Sequence, residues 1–175
     1  MQKNIQVISF IGLGNIAYTV LKMIKHTFIN KDVHILIYKN KNQHNDFITF
    51  CKKIVESHIV TFQICETYFD CILNSDIIIS SVTFFDGNIA PDNAFKEGCL
   101  LVPIHTRGFM NCDLFFNKVF FDNFSHVSGF KYYYNFKNKA HEVSDVVNGI
   151  SFWKEKNIMK ELYVKTSVLQ FTIYI

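Results

Sequence analysis

Residues 7–17 read V-I-S-F-I-G-L-G-N-I-A, an apolar strand-like run that ends at Gly12 and leads into residues with helical spacing. Two of the chain's seven glycines stand here one residue apart, and Ala17 completes a G-x-G-x-x-A pattern. Between a strand and a helix, this pattern allows a tight bend, a close backbone approach to a pyrophosphate and close helix–strand packing. It therefore predicts a dinucleotide-phosphate site, with an ordinary glycine-bearing turn of another α/β protein as the alternative.

Strand and helix patterns alternate along the chain beyond this turn. We predict strands over residues 6–11, 33–38, 59–64, 76–82, 100–104, 119–121 and 127–130. We predict helices over residues 16–28, 46–57, 66–73, 92–97 and 142–150. The continuous apolar run in 76–82 is typical of a strand buried on both faces of a parallel sheet. The alternation predicts an α/β fold, a doubly wound parallel sheet of the Rossmann type.

The length of 175 residues suits one well-buried domain better than two. Since the alternation fades near residue 150, we expect a dinucleotide-binding domain over 1–150 and a separate C-terminal tail over 151–175. The hydrophobic content of 49% predicts a globular chain. The 19 phenylalanines and eight tyrosines suggest that part of the aromatic surface meets a partner.

Cysteine usage and the chain termini indicate a cytoplasmic protein. The five cysteines contain no C-x-x-C pair and no secretory signal is visible, so reduced thiols are expected. The apolar stretch 162–175 contains Lys165 and is shorter than the roughly 20 residues that span a bilayer. We therefore expect no membrane anchor.

Three further patterns are weaker signals. Residues 131–139, K-Y-Y-Y-N-F-K-N-K, mix basic and aromatic side chains as single-strand nucleic-acid binders do, but a surface strand and loop is favoured. His105, Cys112 and Asp113 lie close in sequence without any recognised zinc spacing. His141-Glu142 begins an H-E-x-x-H pattern that lacks its second histidine. We expect neither a nucleic-acid partner nor a metal.

The end of the second predicted strand indicates which dinucleotide is bound. NAD sites usually place a carboxylate there, which accepts a hydrogen bond from the ribose 2′-OH. This chain has Tyr38, Lys39, Asn40 and Lys41, and no carboxylate before Asp46. Lysine suits a 2′-phosphate, so NADP is favoured over NAD. The alternative is that both lysines are solvated loop residues.

The later segments carry a family resemblance. They are D-I-I-I-S-S-V-T-F-F-D-G-N-I-A from residue 76, F-K-E-G-C-L-L-V-P-I-H-T-R-G-F-M-N-C-D-L-F-F-N-K-V-F-F-D-N from residue 95, H-V-S-G-F-K from residue 126 and E-V-S-D-V-V-N-G from residue 142. Over roughly residues 5–165 the chain resembles the ornithine cyclodeaminase/mu-crystallin family. The first strand and its glycine turn also look like pyrroline-5-carboxylate reductases, but the later segments do not.

The resemblance implies a function and a set of site residues. Family members bind NAD(H) or NADP(H) in a Rossmann domain and transfer hydride to or from amino acids or cyclic imines. Carried over by position, the implied cofactor residues are Gly12, Gly14, Asn15, Ile16 and Ala17 at the pyrophosphate; Tyr38, Lys39 and Asn40 at the adenosine ribose; Ser81, Val82 and Thr83 at the nicotinamide; and Pro103, Ile104, His105 and Thr106 beyond it.

One departure from the family concerns catalysis. The cyclodeaminases have a catalytic aspartate in the loop after the fifth strand, where this chain aligns Arg107, and Asp113 falls on a later acidic position. Because an arginine cannot accept a proton as a carboxylate does, ornithine cyclisation is not expected. The catalytic residues stay unknown, with His105, Arg107 and Asp113 as candidates and a structural role for the first two as the alternative.

A second departure concerns length. Family proteins carry a substrate-binding and dimerisation domain built mainly from residues before the Rossmann strand, where this chain starts. The resemblance therefore implies a truncated NAD(P)-binding domain of an oxidoreductase, whose tail from Glu161 begins the helix returning to the other domain. Self-association or a partner chain would supply that domain. Activity of the chain alone is left open, and a non-enzymatic nucleotide-binding or interaction module is the alternative.

Overall fold

The computed structural model describes residues 7–28, 32–55, 60–105, 107–116, 118–148 and 161–165. Its strands are β1 (Val7–Ile11), β2 (Val33–Tyr38), β3 (Val60–Cys65), β4 (Ile77–Ser80), β5 (Cys99–Pro103), β6 (Lys118–Phe121), β7 (Ala140–Glu142) and β8 (Glu161–Lys165). Its α-helices are α1 (Asn15–Ile24), α2 (Gln43–Ile54), α3 (Tyr68–Ile72), α4 (Cys112–Phe115), α5 (Phe124–Val127), α6 (Tyr133–Phe136) and α7 (Val143–Val147). Short 3-10 turns cover Lys25–Phe28, Asp92–Ala94 and Lys137–Lys139.

The described strands form one sheet in the order β3-β2-β1-β4-β5-β8-β6-β7, in which all seven pairings are parallel. Strand β1 lies in the interior of the sheet, and the chain runs outward from it to β3 and then returns to β4 on the other side of β1. The strand order thus reverses between β1 and β4. In open α/β sheets, ligands bind at the carboxyl ends of the strands flanking such a reversal.

Helices cover both faces of this sheet. Successive side chains of β4 alternate between two cores, so that Ile77 and Ile79 pack on one face and Ile78 on the other. The first core contains Phe47 from α2, and the second contains Ile72 from α3. Each fully buried side chain of this size contributes about 1.5–3 kcal/mol through removal of apolar surface from water. The predicted doubly wound α/β architecture is confirmed.

The second half of the chain departs from the predicted elements. The strand predicted over 127–130 is wrong: residues 124–127 form α5, and the Asn123 side chain caps that helix by accepting from Ser125 N–H at 2.8 Å. The helix predicted over 92–97 is wrong, because only the 3-10 turn at 92–94 forms before Phe95 adopts an extended backbone. Strand β7 is not among the predicted strands, and residues 131–139 contain α6 and a 3-10 turn rather than a strand.

The tail also differs where the structure describes it. Residues 161–165 form β8, which lies between β5 and β6, so the helix expected from Glu161 is wrong over these residues. Residues 166–175 lie outside the described residues, and the domain boundary at residue 150 stays a prediction.

The cysteines are all free and buried. Burial raises the pKa of Cys51 to about 12, and the thiol of Cys71 also has a raised pKa because it hydrogen-bonds Cys65 and is buried. Thiols held protonated in this way pack as small apolar groups rather than acting as nucleophiles. In the described part of the chain, no helix combines the length and hydropathy that a membrane crossing requires.

Candidate dinucleotide-binding site

The turn after β1 is built on Gly12. Its φ is +84°, and a Cβ placed there would lie 2.7 Å from the carbonyl carbon and oxygen of Ser81. Two hydrogen bonds join the same segments: Ser81 N–H donates to the Ile11 carbonyl at 2.7 Å, and Ser81 Oγ donates to the Gly12 carbonyl at 2.8 Å. Only glycine satisfies both the left-handed backbone and this close approach to the end of β4.

Gly14 caps α1 and leaves its N-terminus open. Its backbone is extended, no side chain caps the helix, and a Cβ added to Gly14 would meet no atom within 4 Å. The first turn of α1 contains no acidic residue. Helix N-termini attract anions because their first N–H groups lack intrahelical partners and the helix dipole is positive there. The amides of Asn15 and Ile16 lie at this end of the helix.

Ala17 occupies the third small position of the pattern. Its side chain is completely buried in the same core as Ile8 and Ile35 of the first two strands. A larger residue would push α1 away from the sheet and move its N-terminus. The three small residues therefore do what the sequence pattern predicts: they bend the turn, leave space at the helix start and bring the helix onto the sheet.

The residues predicted at the ribose lie together at the end of β2. Tyr38 stacks on Tyr68 with ring centroids 4.0 Å apart, and Asn40 donates to the side chain of Gln43 at 3.1 Å. Burial raises the pKa of Tyr68 to about 12, with the hydrogen bond to Tyr38 acting in the same direction. Lys39 donates to Glu66 at 2.7 Å, and both side chains are exposed.

Sequence reasoning missed Glu66, because its proximity to Lys39 depends on β3 lying beside β2. The register aligns Tyr38 with Cys65, which brings the residues after both strands to the same edge. A carboxylate thus stands at this edge, although no acidic residue follows Lys39 closely in sequence.

Serine and histidine side chains join the ends of β4 and β5. Ser80 is fully buried, and its Oγ lies 2.8 Å from Nε2 of His105. Nδ1 of His105 hydrogen-bonds the Arg107 carbonyl. A carbonyl only accepts, so Nδ1 carries the proton, and in the neutral ring Nε2 accepts from the Ser80 hydroxyl. Sequence reasoning missed Ser80 because a serine inside an apolar strand gives no signal of a site.

The loop after β5 is also fixed through its backbone. Ile104 N–H donates to the Ser80 carbonyl at 2.7 Å, and Ile89 N–H donates to the Gly108 carbonyl at 2.6 Å. Gly108 has a φ of +111°, and a Cβ there would lie 2.8 Å from the Ile89 side chain and 3.2 Å from His105 Cε1. The loops that follow β4 and β5 therefore form one connected unit.

The residues predicted at the nicotinamide, and those predicted beyond it, differ in how exposed they are. Ser81 and Val82 are half-buried after β4, and Thr83 is exposed. Pro103 is the last residue of β5, and Ile104 follows it. Thr106 lies outside the described residues. Of the catalytic candidates, His105 and Arg107 are brought together, whereas Asp113 lies in α4 and its side chain is outside the described set.

Arg107 projects into solvent at this edge. Its guanidinium carbon lies 5.8 Å from the ring centroid of Phe84, whose side chain is 66% exposed. Over the described ranges, no group of three or more His, Cys, Asp or Glu side chains has an arrangement that could hold a metal ion.

Comparison with solved structures supports this architecture. The Delta(1)-pyrroline-2-carboxylate reductase of Thermococcus litoralis, solved in complex with NADH and L-proline, matches with a TM-score of 0.74 at 18% identity. The match covers 95% of this chain and 54% of the reductase. The fold is Rossmann-type. The reductase belongs to the ornithine cyclodeaminase/mu-crystallin family, so the fold agrees with the resemblance of the sequence.

A second solved structure, that of CmnK, matches with a TM-score of 0.66 at 12% identity and covers 94% of this chain and 50% of CmnK. The chain thus spans about half the length of each of these two structures. No protein-family model matches the sequence, and no curated protein matches it either.

Proposed function

We propose that this chain is the nicotinamide dinucleotide-binding domain of an oxidoreductase. The observation that carries the proposal is the Gly12 turn, which is fixed against Ser81 where the strand order reverses and opens α1 with an uncapped, sterically open N-terminus. A glycine turn that served only as architecture would need the contact at Gly12 but not the open position at Gly14.

The residues present fit a dinucleotide. The amides at the start of α1 would hold the pyrophosphate, and Tyr38, Lys39 and Asn40 would contact the adenosine ribose. Ser81, Val82 and Thr83, with the end of β5, would orient the nicotinamide. When bound, the nicotinamide ring supplies or accepts the hydride, and the protein supplies position and electrostatics.

The substrate class is proposed as an amino acid or cyclic imine. The support is the family resemblance and the likeness to a reductase solved with NADH and L-proline. Since the chain spans about half of that reductase, we propose that a substrate domain from a further segment or a partner chain, including a second copy of this chain, completes the site.

A cytoplasmic location is proposed as well. Its support is that the five cysteines are free and buried, as is usual for proteins in a reducing compartment.

A preference for NADP is proposed from Lys39, whose cation would face a 2′-phosphate. Glu66 is the observation that favours NAD, because its carboxylate pairs with Lys39 at 2.7 Å and would oppose a phosphate. NADP binding requires Lys39 to exchange Glu66 for the phosphate. This exchange is feasible because both side chains are exposed and an exposed pair is worth only about 0–1 kcal/mol.

Calorimetric titration of the chain with NADP⁺ and NAD⁺ tests the proposal. Gly14→Asp should abolish binding of both, because it places a carboxylate at the helix start where the pyrophosphate would lie. Gly129→Asp is the matched control: a Cβ there also meets nothing within 4 Å, and the residue lies after α5, which follows β6, a strand four positions from β1 in the sheet. No heat with either dinucleotide, or equal effects of the two variants, would contradict the proposal. Dinucleotide binding without any hydride transfer, even after a partner chain that supplies a substrate domain is added, would favour the alternative of a non-enzymatic nucleotide-binding module.

A further inference from the structure

Arg107 is the only arginine among the 18 basic residues of the chain. Every other cation is a lysine, so positive charge alone does not explain an arginine at this position. Arginine differs from lysine in its planar fork of N–H donors, which matches the two oxygens of a carboxylate.

The position of Arg107 is defined by its neighbours. The His105 ring hydrogen-bonds the backbone carbonyl of Arg107. The carbonyl of the next residue, Gly108, accepts a hydrogen bond from Ile89 N–H. Its guanidinium lies over the exposed ring of Phe84, which comes from the loop after β4. The side chain therefore rests on a surface built by both loops, although it is exposed to solvent.

The charge of Arg107 is also uncompensated within the described part of the chain, where no carboxylate forms an ion pair with it. Two lysines of the described residues differ in this respect: Lys39 pairs with Glu66, and Lys96 pairs with the buried Asp76. An exposed guanidinium that lies over Phe84 and has no carboxylate partner among the described residues, in the loop after β5, is suited to bind an anion.

We propose that Arg107, supported by Phe84, binds the carboxylate of the substrate. The inference rests on the proposed function, which places the nicotinamide at the ends of β4 and β5 and names a carboxylate-bearing substrate. A guanidinium would also suit a phosphate of the dinucleotide. Measuring L-proline and NADH binding in an Arg107 variant distinguishes the substrate carboxylate from the dinucleotide phosphate.

The single arginine makes a direct test possible. In a ¹H–¹⁵N spectrum, the chain has one arginine Nε–H resonance, which belongs to Arg107. Titration of the chain–NADH complex with L-proline should shift this resonance saturably, and L-prolinamide, in which a neutral amide replaces the carboxylate, should not shift it. Equal shifts with both compounds, or no shift up to the highest soluble concentration of L-proline, would overturn the proposal.

A variant of Arg107 distinguishes a role in substrate binding from a role in cofactor binding. Arg107→Met should weaken L-proline binding at least tenfold, while calorimetry shows NADH binding unchanged. Lys131→Met is the matched control, because Lys131 is an exposed cation 5.0 Å from the Tyr132 ring and lies far along the chain from the two loops. Loss of NADH binding in Arg107→Met would assign the guanidinium to a dinucleotide phosphate and overturn the proposal.

Dinucleotide binding and carboxylate binding by Arg107 can fail independently of each other. If NADH does not bind the unmodified chain, the dinucleotide proposal fails, and the Nε–H titration is run on the free chain with the same two compounds. A shift with L-proline alone would then still support carboxylate binding by Arg107, and its absence would overturn it.

Discussion

Gly12 and Ser81 are in close contact just beyond the carboxyl ends of the neighbouring strands β1 and β4. A Cβ on Gly12 would stand 2.7 Å from the Ser81 carbonyl, and the Ser81 hydroxyl donates to the Gly12 carbonyl at 2.8 Å. The same turn that opens α1 therefore holds the ends of β1 and β4 together. One glycine links the stability of the fold to the geometry of the proposed pyrophosphate site.

Replacement of this glycine should destabilise the chain. In Gly12→Ala, the methyl group meets backbone atoms rather than a flexible side chain, and φ stays left-handed, so we expect a loss of roughly 2 kcal/mol or more of unfolding free energy. Urea denaturation measures the loss. Gly129→Ala has open space at its Cβ and should change stability by no more than about 1 kcal/mol, in the stabilising direction. Similar destabilisation of the two variants would contradict the assigned contact.

The hydrogen bonds of His105 predict its tautomer. Because its Nδ1 faces the Arg107 carbonyl, ¹⁵N spectra should show Nδ1 protonated and Nε2 as the acceptor in the neutral ring. Ser80→Ala should move the Nε2 resonance and cost about 1 kcal/mol of stability. Ser9→Ala provides the comparison, since Ser9 is equally buried but bonds the Ile77 carbonyl on a neighbouring strand. A protonated Nε2 with an unprotonated Nδ1 would contradict both hydrogen bonds assigned to this ring.

The parts of the fold that could be predicted are those encoded locally. The run from β1 through Gly12 to α1 depends on residues adjacent in sequence, where both the helical spacing and the glycine spacing are visible. The parts that could not be predicted depend on distant pairing. Glu66 reaches Lys39 only because β3 lies beside β2, and β8 inserts between β5 and β6 across a long separation in sequence.

Short aromatic segments in the second half misled the prediction for a different reason. A segment of four residues, such as V-S-G-F at 127–130, is too short for periodicity to distinguish a strand from a helical turn. The decisive feature for residues 124–127 is the Asn123 side chain, whose Oδ1 accepts from Ser125 N–H and starts a helix. The capping asparagine before F-S-H-V was the available signal of a helix over residues 124–127.

The Lys39–Glu66 pair should control the choice of dinucleotide. Glu66→Gln removes the competing carboxylate and should raise the affinity for NADP⁺ about fivefold, consistent with about 1 kcal/mol for an exposed pair, while NAD⁺ affinity changes little. Lys39→Asp should reduce NADP⁺ affinity and favour NAD⁺. Lys41→Gln controls for general loss of positive charge in the same loop. Unchanged NADP⁺/NAD⁺ ratios in both Lys39 and Glu66 variants would remove this pair from the cofactor site.

His141 on β7 should make the stability of the chain sensitive to mild acid. Burial lowers its pKa from the ordinary value of 6.5, and the nearby positive charge of Lys118 acts in the same direction, outweighing Asp145. The folded state therefore prefers the neutral ring: its contribution is fully present above the unfolded pKa and is lost as the pH falls through the lower folded value. Urea denaturation between about pH 7.5 and 5 should show this decline. This loss of stability should be smaller in His141→Gln and unaltered in a variant of the exposed His26. An identical loss in both variants would exclude His141 as the source of the pH dependence.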